Sequence, residues 1–301
     1  TLFGRDNRNT DEANQEIIFQ VVFSDDPNGT GMIANGAVNS FYGNQRSSTG
    51  LVAPSDFIYS QIEIATKERR VYNYKNKMLD ARIYINQTYS GSSSSNSNKA
   101  IHKYTTRTID ISASGGTTPE ASYDSKYTEN QNGSNWIIYR LSDIMLMKAE
   151  ALTQMIQEGD NTEASDYNRS LLDRAFTLVN AVNKRSICQT LLQDTLVRSE
   201  FSNKGDMEDL ILQERQRELM FEGKRWFDLV RVSQRNGNTT ILKNAALQKA
   251  TTGSGLISNH LSKMDAIYWP YNLDEIKVNK NLVQNPAFSS GEDESYKKTT
   301  K

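Results

Sequence analysis

The sequence predicts a mainly α-helical protein that carries long loops and a few short strands. From position 139 onward, apolar residues recur at helical spacing over residues 139–157, over a segment that ends near Lys184, and over residues 206–231. Before position 139 the chain is rich in Gly, Asn and Ser, and its apolar stretches are short and β-rich. We therefore divide the chain into a loop-rich region (residues 1–138) and a helical region (residues 139–301), which we expect to form one continuous domain.

Three short stretches of the loop-rich region are predicted strands because they are apolar, β-rich or alternating. They are residues 16–23, 82–86 and 100–104. The Gly, Asn and Ser content predicts a long loop over residues 24–50, and long loops in compact domains are often functional. A helix is predicted over residues 56–70, and residues 90–98 form a flexible low-complexity tract.

Two helices at the start of the helical region form a predicted αα-hairpin. The first covers residues 139–157 and ends before Gly159, because glycine suits the position that follows a helix. The second begins after a cap at Asn161 or Thr162. Such a pair has the size of one tetratricopeptide unit, although a single copy leaves no repeat period to measure.

Beyond the hairpin, the sequence predicts several short elements around one long helix. The long helix covers residues 206–231. The short elements are a helix over residues 191–198, a turn over 235–238, a Gly/Ser loop over 251–256 and a helical turn over 272–278.

The long helix carries a row of charged side chains on one face. The row consists of Glu214, Glu218, Glu222 and Arg225. Its spacing of four, four and three residues would suit a metal site or an acid/base pair. A hydrolase, however, needs two carboxylates that face one cleft. Because arginines are interspersed along the row, we predict a buried or half-buried ion-pair network that fixes how this helix docks. Gly223 lies inside the predicted helix, at a cost of about 1 kcal/mol relative to Ala.

The same segment resembles the signature of the SusD/RagB family. Residues 214–231, ERQRELMFEGKRWFDLVR, match it, and residues 139–152 and 268–288 resemble two further family stretches in the family's order. The matching signature residues are Glu214, Arg215, Glu218, Glu222, Gly223, Arg225, Trp226, Asp228, Trp269, Pro270, Asn285 and Pro286. The chain departs from the family pattern after Pro270, where Tyr271 and Asn272 stand in place of Ile and Pro. It departs again where Ala287 replaces a glycine.

Composition argues against several classes of function. The net charge of −1 argues against a nucleic-acid-binding protein, which would carry a basic patch. The sequence has no run of about 18 apolar residues, so it predicts no transmembrane helix. Cys188 is the single cysteine and cannot form an internal disulfide. His102 and His260 are too few for a histidine-based metal site or a Ser–His relay, so we expect no metal and no cofactor.

Aromatic and amide side chains of the loop-rich region are the candidate ligand-binding residues. A sugar ring has an apolar C–H face and a polar rim, so it favours an aromatic plane with hydrogen-bond donors at its edge. Residues 41–46 and 72–76 offer both. The candidates are Phe41, Tyr42, Asn44, Arg46, Tyr72 and Tyr74. The alternative interpretation is that Tyr and Asn are simply frequent on the loops of secreted proteins. Trp226, Phe227 and Trp269 are interpreted instead as core residues, because they lie in motifs rich in packing residues.

The resemblance implies a SusD-like α-α superhelix with tetratricopeptide-like helix pairs and a role in nutrient uptake. Such a protein captures an oligosaccharide without catalysis and lies as a lid over a SusC-like TonB-dependent transporter. The RagB branch leaves an oligopeptide ligand open, while a protein-binding helical scaffold and a glycosidase are alternatives from other classes. Family chains begin with a lipoprotein signal, an acylated cysteine and several helices. We therefore expect this sequence to be the C-terminal part of a longer protein, lipid-anchored on the extracellular face of a Bacteroidetes outer membrane.

Overall fold

The fold is mainly helical, as the sequence predicts. The computed structural model describes residues 3, 15–23, 38, 41–42, 51–52, 54, 82, 101, 103–104, 106–110, 120–123, 134–157, 165–186, 196–250 and 252–288. Within these ranges the bounds of seven α-helices and four short strands are described. The chain divides into two compact units, Thr1–Gly223 and Lys224–Lys301.

The four strands of the first unit form two antiparallel pairs. Strand β1 (Ile17–Val21) pairs with β4 (Trp136–Arg140), and β2 (Thr106–Asp110) pairs with β3 (Glu120–Tyr123). The strand predicted over residues 16–23 is therefore confirmed. The backbone N–H of Phe23 donates to Asn135 Oδ1 at 3.0 Å, which holds the end of β1 beside the start of β4.

Other predictions for the loop-rich region are either wrong or lie outside the described residues. Val38, Phe41 and Tyr42 are helical inside the predicted loop 24–50, and Arg82 is helical where a strand was expected. Ile101 forms an isolated bridge rather than part of a strand over 100–104. The predicted helix 56–70 and the tract 90–98 lie outside the described residues. These polar segments lack a long apolar repeat, so their local pattern does not determine their conformation.

The predicted αα-hairpin is present in the first unit, with shifted boundaries. Helix α1 spans Leu141–Gln154, because the two residues before it belong to β4. Helix α2 spans Asp166–Ser186. The Ser165 hydroxyl accepts from the Asn168 backbone N–H at 3.0 Å, so Ser165 caps this helix in place of Asn161 or Thr162. Helix α3 (Lys204–Glu218) packs against both. Their shared core is Leu146, Ala149, Leu152, Ile156, Leu171, Leu172, Ala175, Val179, Val182, Leu196, Met207, Leu210 and Ile211.

The predicted long helix over residues 206–231 is broken in the structure. Helix α3 ends at Glu218, and helix α4 begins at Arg225 and ends at Asn236. Between them, Phe221 and Gly223 have φ angles of 64° and 75°. Left-handed residues cannot continue a right-handed helix, so Gly223 serves a turn rather than lying inside a helix. Most of the short helix predicted over 191–198 lies outside the described residues. Of the described part, residues 196 and 197 are not helical, and a 3-10 turn covers Arg198–Glu200.

The second unit consists of α4 and three shorter helices. These are α5 (Thr240–Leu247), α6 (Ser254–His260) and α7 (Leu273–Val278). Leu229, Leu242 and Ile267 form its small core. The predicted turn at 235–238 is confirmed by Gly237, whose φ of 65° ends α4. The predicted helical turn at 272–278 is also present, because Asn272 caps α7. The Gly/Ser loop expected over 251–256 is shorter, since α6 already begins at residue 254.

No helix among the described residues is both long enough and apolar enough to cross a membrane.

Candidate functional site

The predicted row of glutamates lies in a buried ion-pair network of the first unit. Glu214 and Glu218 project from the last turns of α3, and Glu222 lies in the turn that follows. All three side chains are buried. Glu214 accepts from Arg82 Nη1 at 2.8 Å and from Arg217 Nη2 at 2.7 Å. Glu214 is therefore neutralised by one basic group of its own helix, Arg217, and by one from a distant segment, Arg82.

Arg140, the last residue of β4, joins two of these glutamates. Its Nη1 donates to Glu218 Oε1 at 2.6 Å and to Glu16 Oε1 at 2.6 Å. Its Nη2 and Nε donate to the two oxygens of Glu222 at 2.8 and 3.0 Å. Glu218 also accepts from Arg82 Nη1 at 2.9 Å and from Arg185. Strand β4 thus places the planar guanidinium of Arg140 at the end of α3, where it makes paired hydrogen bonds with the carboxylates of Glu218 and Glu222.

Lys103 and Tyr42 hold the backbone of the turn between α3 and α4. The Lys103 ammonium donates to the carbonyl oxygens of Glu218 and Met220 at 3.1 and 2.8 Å, and also to the Glu222 carboxylate. The Tyr42 hydroxyl donates to the carbonyl of Phe221. These donors satisfy carbonyls that a helix end would otherwise leave without partners, and they stabilise the left-handed conformation of Phe221.

The basic groups keep the three carboxylates ionised although they are buried. Burial alone would raise the pKa of Glu218, but the charges of Arg140, Arg82 and Arg185 outweigh burial and lower that pKa below its ordinary value. The pKa values of Glu214 and Glu222 are lowered by the same balance. Burial lowers the pKa of Lys103 to about 8.

The ionised and fully paired carboxylates have a structural role. A general acid must hold a proton near neutral pH, and a metal site needs oxygens that are not already committed to arginines. Among the described residues, no group of three His, Cys, Asp or Glu side chains could hold a metal ion. The ion-pair network predicted for the glutamate row is present, although Arg225 lies beyond the turn as the first residue of α4. Arg82 and Lys103 were not predicted as partners, because they lie 136 and 119 positions before the glutamates to which they donate.

The loop residues predicted to bind ligand are separated by burial. Phe41 is exposed, whereas Tyr42 is 7% exposed. The Tyr42 ring stacks on Tyr104 with centroids 5.6 Å apart and packs edge-on against Phe221. Tyr42 is thus a core residue in this structure and does not offer the open ring that we expected. The remaining candidates, Asn44, Arg46, Tyr72 and Tyr74, lie outside the described residues.

Three aromatic residues predicted to be core are exposed instead. The exposed fractions are 40% for Trp226, 66% for Phe227 and 86% for Trp269. In α4 the buried positions are Asp228, Leu229, Val232 and Ser233. Phe227 lies on the opposite side of the helix, whereas Trp226 lies at the edge of the buried side, in the first turn. A motif that is rich in large apolar residues does not reveal which side of its helix is covered.

The exposed Trp269 belongs to a short segment, residues 268–271, which we call the aromatic turn. Tyr268 and Tyr271 flank the tryptophan and are each about half exposed. Gln284 makes two hydrogen bonds to the backbone of Tyr271. Its Oε1 accepts from the Tyr271 N–H at 3.0 Å, and its Nε2 donates to the Tyr271 carbonyl at 2.9 Å. Asn285 Nδ2 donates to the carbonyl of Tyr268 at 2.9 Å. From the sequence, Trp269 and Asn285 were predicted as family-signature residues, whereas Tyr268 and Tyr271 were not predicted to be surface groups.

Known proteins match this chain in both sequence and fold. The SusD family matches residues 3–288 of this chain. SusD-like protein P38 of Formosa agariphila is 31% identical over 156 residues, which cover 52% of this chain and 25% of that relative. The match therefore spans only a quarter of the relative's length.

Two solved structures show the same fold at low sequence identity. A SusD superfamily protein of Bacteroides vulgatus ATCC 8482 has a TM-score of 0.55 and 15% identity, and the match covers 95% of this chain and 53% of the solved one. Surface glycan-binding protein A of Bacteroides thetaiotaomicron, in complex with laminarihexaose, has a TM-score of 0.51 and 19% identity. That match covers 94% of this chain and 54% of the solved one.

Proposed function

This chain belongs to the SusD family, and from that premise we propose that it binds an oligosaccharide nutrient at the cell surface without cleaving it. The bound oligosaccharide is then delivered to a SusC-like TonB-dependent transporter of the outer membrane. The protein is held on the extracellular face by a lipid anchor. The observation that carries this proposal is the family match, which extends over nearly the whole chain.

A solved protein of the same fold supports a glycan as the ligand class. Surface glycan-binding protein A shares the fold over 94% of this chain and holds laminarihexaose. An oligosaccharide offers alternating apolar faces and hydroxyl rims, which suit a surface that combines aromatic rings with amide groups. The shared fold makes a glycan the first ligand to test.

The buried network supports a role in binding rather than catalysis. A glycosidase needs two carboxyl groups that flank the scissile bond, with one of them protonated. Glu214, Glu218 and Glu222 are buried, ionised and held by basic side chains. They therefore stabilise the scaffold and are not available to a substrate.

The test is a titration of the purified chain with a panel of oligosaccharides that includes laminarihexaose, and with a panel of peptides. Isothermal titration calorimetry measures binding, and an assay for reducing ends after prolonged incubation measures cleavage. We expect binding of at least one glycan with no increase in reducing ends. Binding of peptides alone would replace the ligand class, release of reducing ends would make the protein an enzyme, and silence from both panels would reject the proposal for this chain.

Delivery to a transporter needs a separate test. The chain, fused to a lipoprotein signal and expressed in a Bacteroidetes host, should co-purify with a TonB-dependent outer-membrane transporter after mild detergent extraction. Recovery of the chain without any such transporter would contradict the delivery step while leaving glycan binding intact.

A further inference from the structure

We propose that the aromatic turn, residues 268–271, is a stacking platform for one pyranose ring of the bound oligosaccharide. The proposal rests on the proposed function and deepens it, because it places the glycan contact on the C-terminal unit rather than on the loops around Phe41. Trp269 supplies the central ring, and Tyr268 and Tyr271 supply the flanks.

The first observation is the exposure of the aromatic turn. Trp269 is 86% exposed, and the tyrosines on either side of the Trp-Pro pair are 55% and 53% exposed. Contact of large rings with water is unfavourable by roughly 25 cal/mol for each Å² of apolar surface. Three exposed aromatic side chains within four residues of sequence therefore leave much apolar surface in water at one short segment, and exposed apolar surface of this kind marks binding sites.

The second observation is the rigidity of the backbone that carries these rings. Gln284 makes two hydrogen bonds to the backbone of Tyr271, and Asn285 Nδ2 donates to the carbonyls of Tyr268 and Asp265 at 2.9 and 2.8 Å. Pro270 fixes its own φ angle between the two anchors. The rings are therefore presented by a backbone that is already ordered, and binding costs less conformational entropy.

The third observation is a polar rim around the apolar centre. Gln234 Nε2 donates to the Tyr268 hydroxyl at 2.7 Å, so this hydroxyl acts as an acceptor there and can donate its own hydrogen elsewhere. Trp269 carries an indole N–H, which is a donor only, and Tyr271 carries a second phenolic hydroxyl. An apolar centre with hydrogen-bonding groups at its edge complements the C–H face and hydroxyl rim of a pyranose ring.

The chemistry of this turn favours a sugar over a protein partner. The Tyr and Trp side chains present flat faces with polar tips. A hydrogen bond from Gln234 already places the Tyr268 hydroxyl, and Gln284 and Asn285 hold the backbone. A protein interface of this size would need a much wider surface, of about 800 Å² on each partner, to be stable. A single pyranose ring matches the area of one indole.

The experiment compares the full chain with three single variants. Trp269→Ala removes the central ring, and Tyr271→Ile removes a flanking ring while it keeps an apolar side chain. Phe227→Ala is the matched control, because it removes an exposed aromatic ring of α4 outside the turn. The probe is laminarihexaose, or the panel glycan that the wild-type chain binds most tightly. Calorimetry gives Kd, and circular dichroism checks that each variant is folded.

We expect Kd to rise about tenfold or more for Trp269→Ala, because this variant loses a whole ring contact with the sugar. Kd should rise less for Tyr271→Ile, because this variant loses only part of a ring contact. Phe227→Ala should leave Kd within about twofold. Wild-type binding with an unchanged Kd in Trp269→Ala would overturn the platform and leave the proposed function standing. Failure of the wild-type chain to bind any glycan would overturn both. A change in oligomeric state of Trp269→Ala by sedimentation velocity, with Kd unchanged, would identify the turn as a contact between copies and reject the platform.

Discussion

Glu218 shows, at the scale of single residues, how a charged side chain becomes part of a protein core. Its carboxylate is surrounded by guanidinium groups from Arg82, Arg140 and Arg185, which come from three separate segments. Removal of such ions from water costs several kcal/mol each, and the complete set of partners is needed to offset that cost. We infer that the network fixes the docking of α3 more than it adds net stability.

Removal of this one carboxylate should therefore be severe. Glu218→Ala is expected to lower the free energy of unfolding by about 3–5 kcal/mol, because buried guanidinium groups lose their counter-charge. The control Asp274→Ala removes an exposed carboxylate that pairs with Lys277 at 2.8 Å, and it should cost less than about 1 kcal/mol. Urea denaturation followed by circular dichroism measures both. Equal losses in the two variants would contradict a structural role for the network.

The same residues predict how stability depends on acid. The pKa values of Glu214, Glu218 and Glu222 are lower in the folded chain than the ordinary value of about 4.5, so folding favours their ionised forms. The stability they contribute is present above that ordinary value and is lost as the pH falls below it, because the unfolded chain then binds protons that the folded chain does not.

We expect the urea midpoint to be nearly constant from pH 6 to pH 5 and to fall steeply between pH 4.5 and pH 3. Glu218→Gln, which removes one of the titrating groups, should start from a lower midpoint and change less over the same interval. Asp274→Asn, an exposed substitution on α7, should keep the wild-type slope. A wild-type midpoint that rises with acid would contradict the lowered pKa values.

Which side chains of the candidate site are buried could not be predicted from the sequence. Tyr42 and Trp269 are both large aromatics in motifs, yet one is buried and the other is open to solvent. The difference arises from partners that are remote in sequence. The Tyr42 hydroxyl donates to the carbonyl of Phe221, which lies 179 positions later. Local composition carries no information about such a contact.

At the scale of elements, periodicity predicted the helices better than their ends. The αα-hairpin of α1 and α2 was predicted because an apolar repeat over many residues fixes the helical state. The break between α3 and α4 was not predicted, because Glu and Arg favour a helix on both sides of the turn. The turn depends on donors from distant segments, namely Lys103, Arg140 and Tyr42, which satisfy its carbonyls.

The glycine of this turn gives a test of the break. Gly223 has a φ of 75°, and a Cβ added there would meet nothing within 4 Å, so Gly223→Ala introduces backbone strain without a clash. We expect a loss of about 1–2 kcal/mol in the free energy of unfolding. Gly255→Ala in α6 is the matched control, because it also meets nothing within 4 Å but lies in a helix. It should be neutral or stabilise by up to about 1 kcal/mol. A neutral Gly223→Ala would favour a continuous helix.

At the scale of the whole molecule, the loop-rich region and the helices of the first unit form one structure. The Arg82 guanidinium reaches Glu218 across 136 positions, and Lys103 reaches Glu222 across 119. A second apolar cluster is also shared between them. It contains Phe3, Val38, Tyr42, Ile101, Tyr104 and Ile137, with Phe221 packed against it. The helical class was predictable from pattern and resemblance, whereas these long-range pairings were not, because no local pattern encodes them.

This sharing predicts that the helices of the first unit depend on residues 1–133. A fragment of residues 134–301 keeps α1, α2 and α3 but loses Arg82, Lys103 and five of the six buried members of the second cluster. Burial of Glu214, Glu218 and Glu222 without these partners is costly. We expect the fragment to retain helical signal yet to lack the cooperative urea transition of the full chain. Full-length Arg82→Met, which removes a single partner, should keep a cooperative transition at a lower midpoint. A fragment that unfolds cooperatively at the wild-type midpoint would show that residues 134–301 are stabilised by their own contacts. The distant basic residues would then add nothing to the stability of these helices.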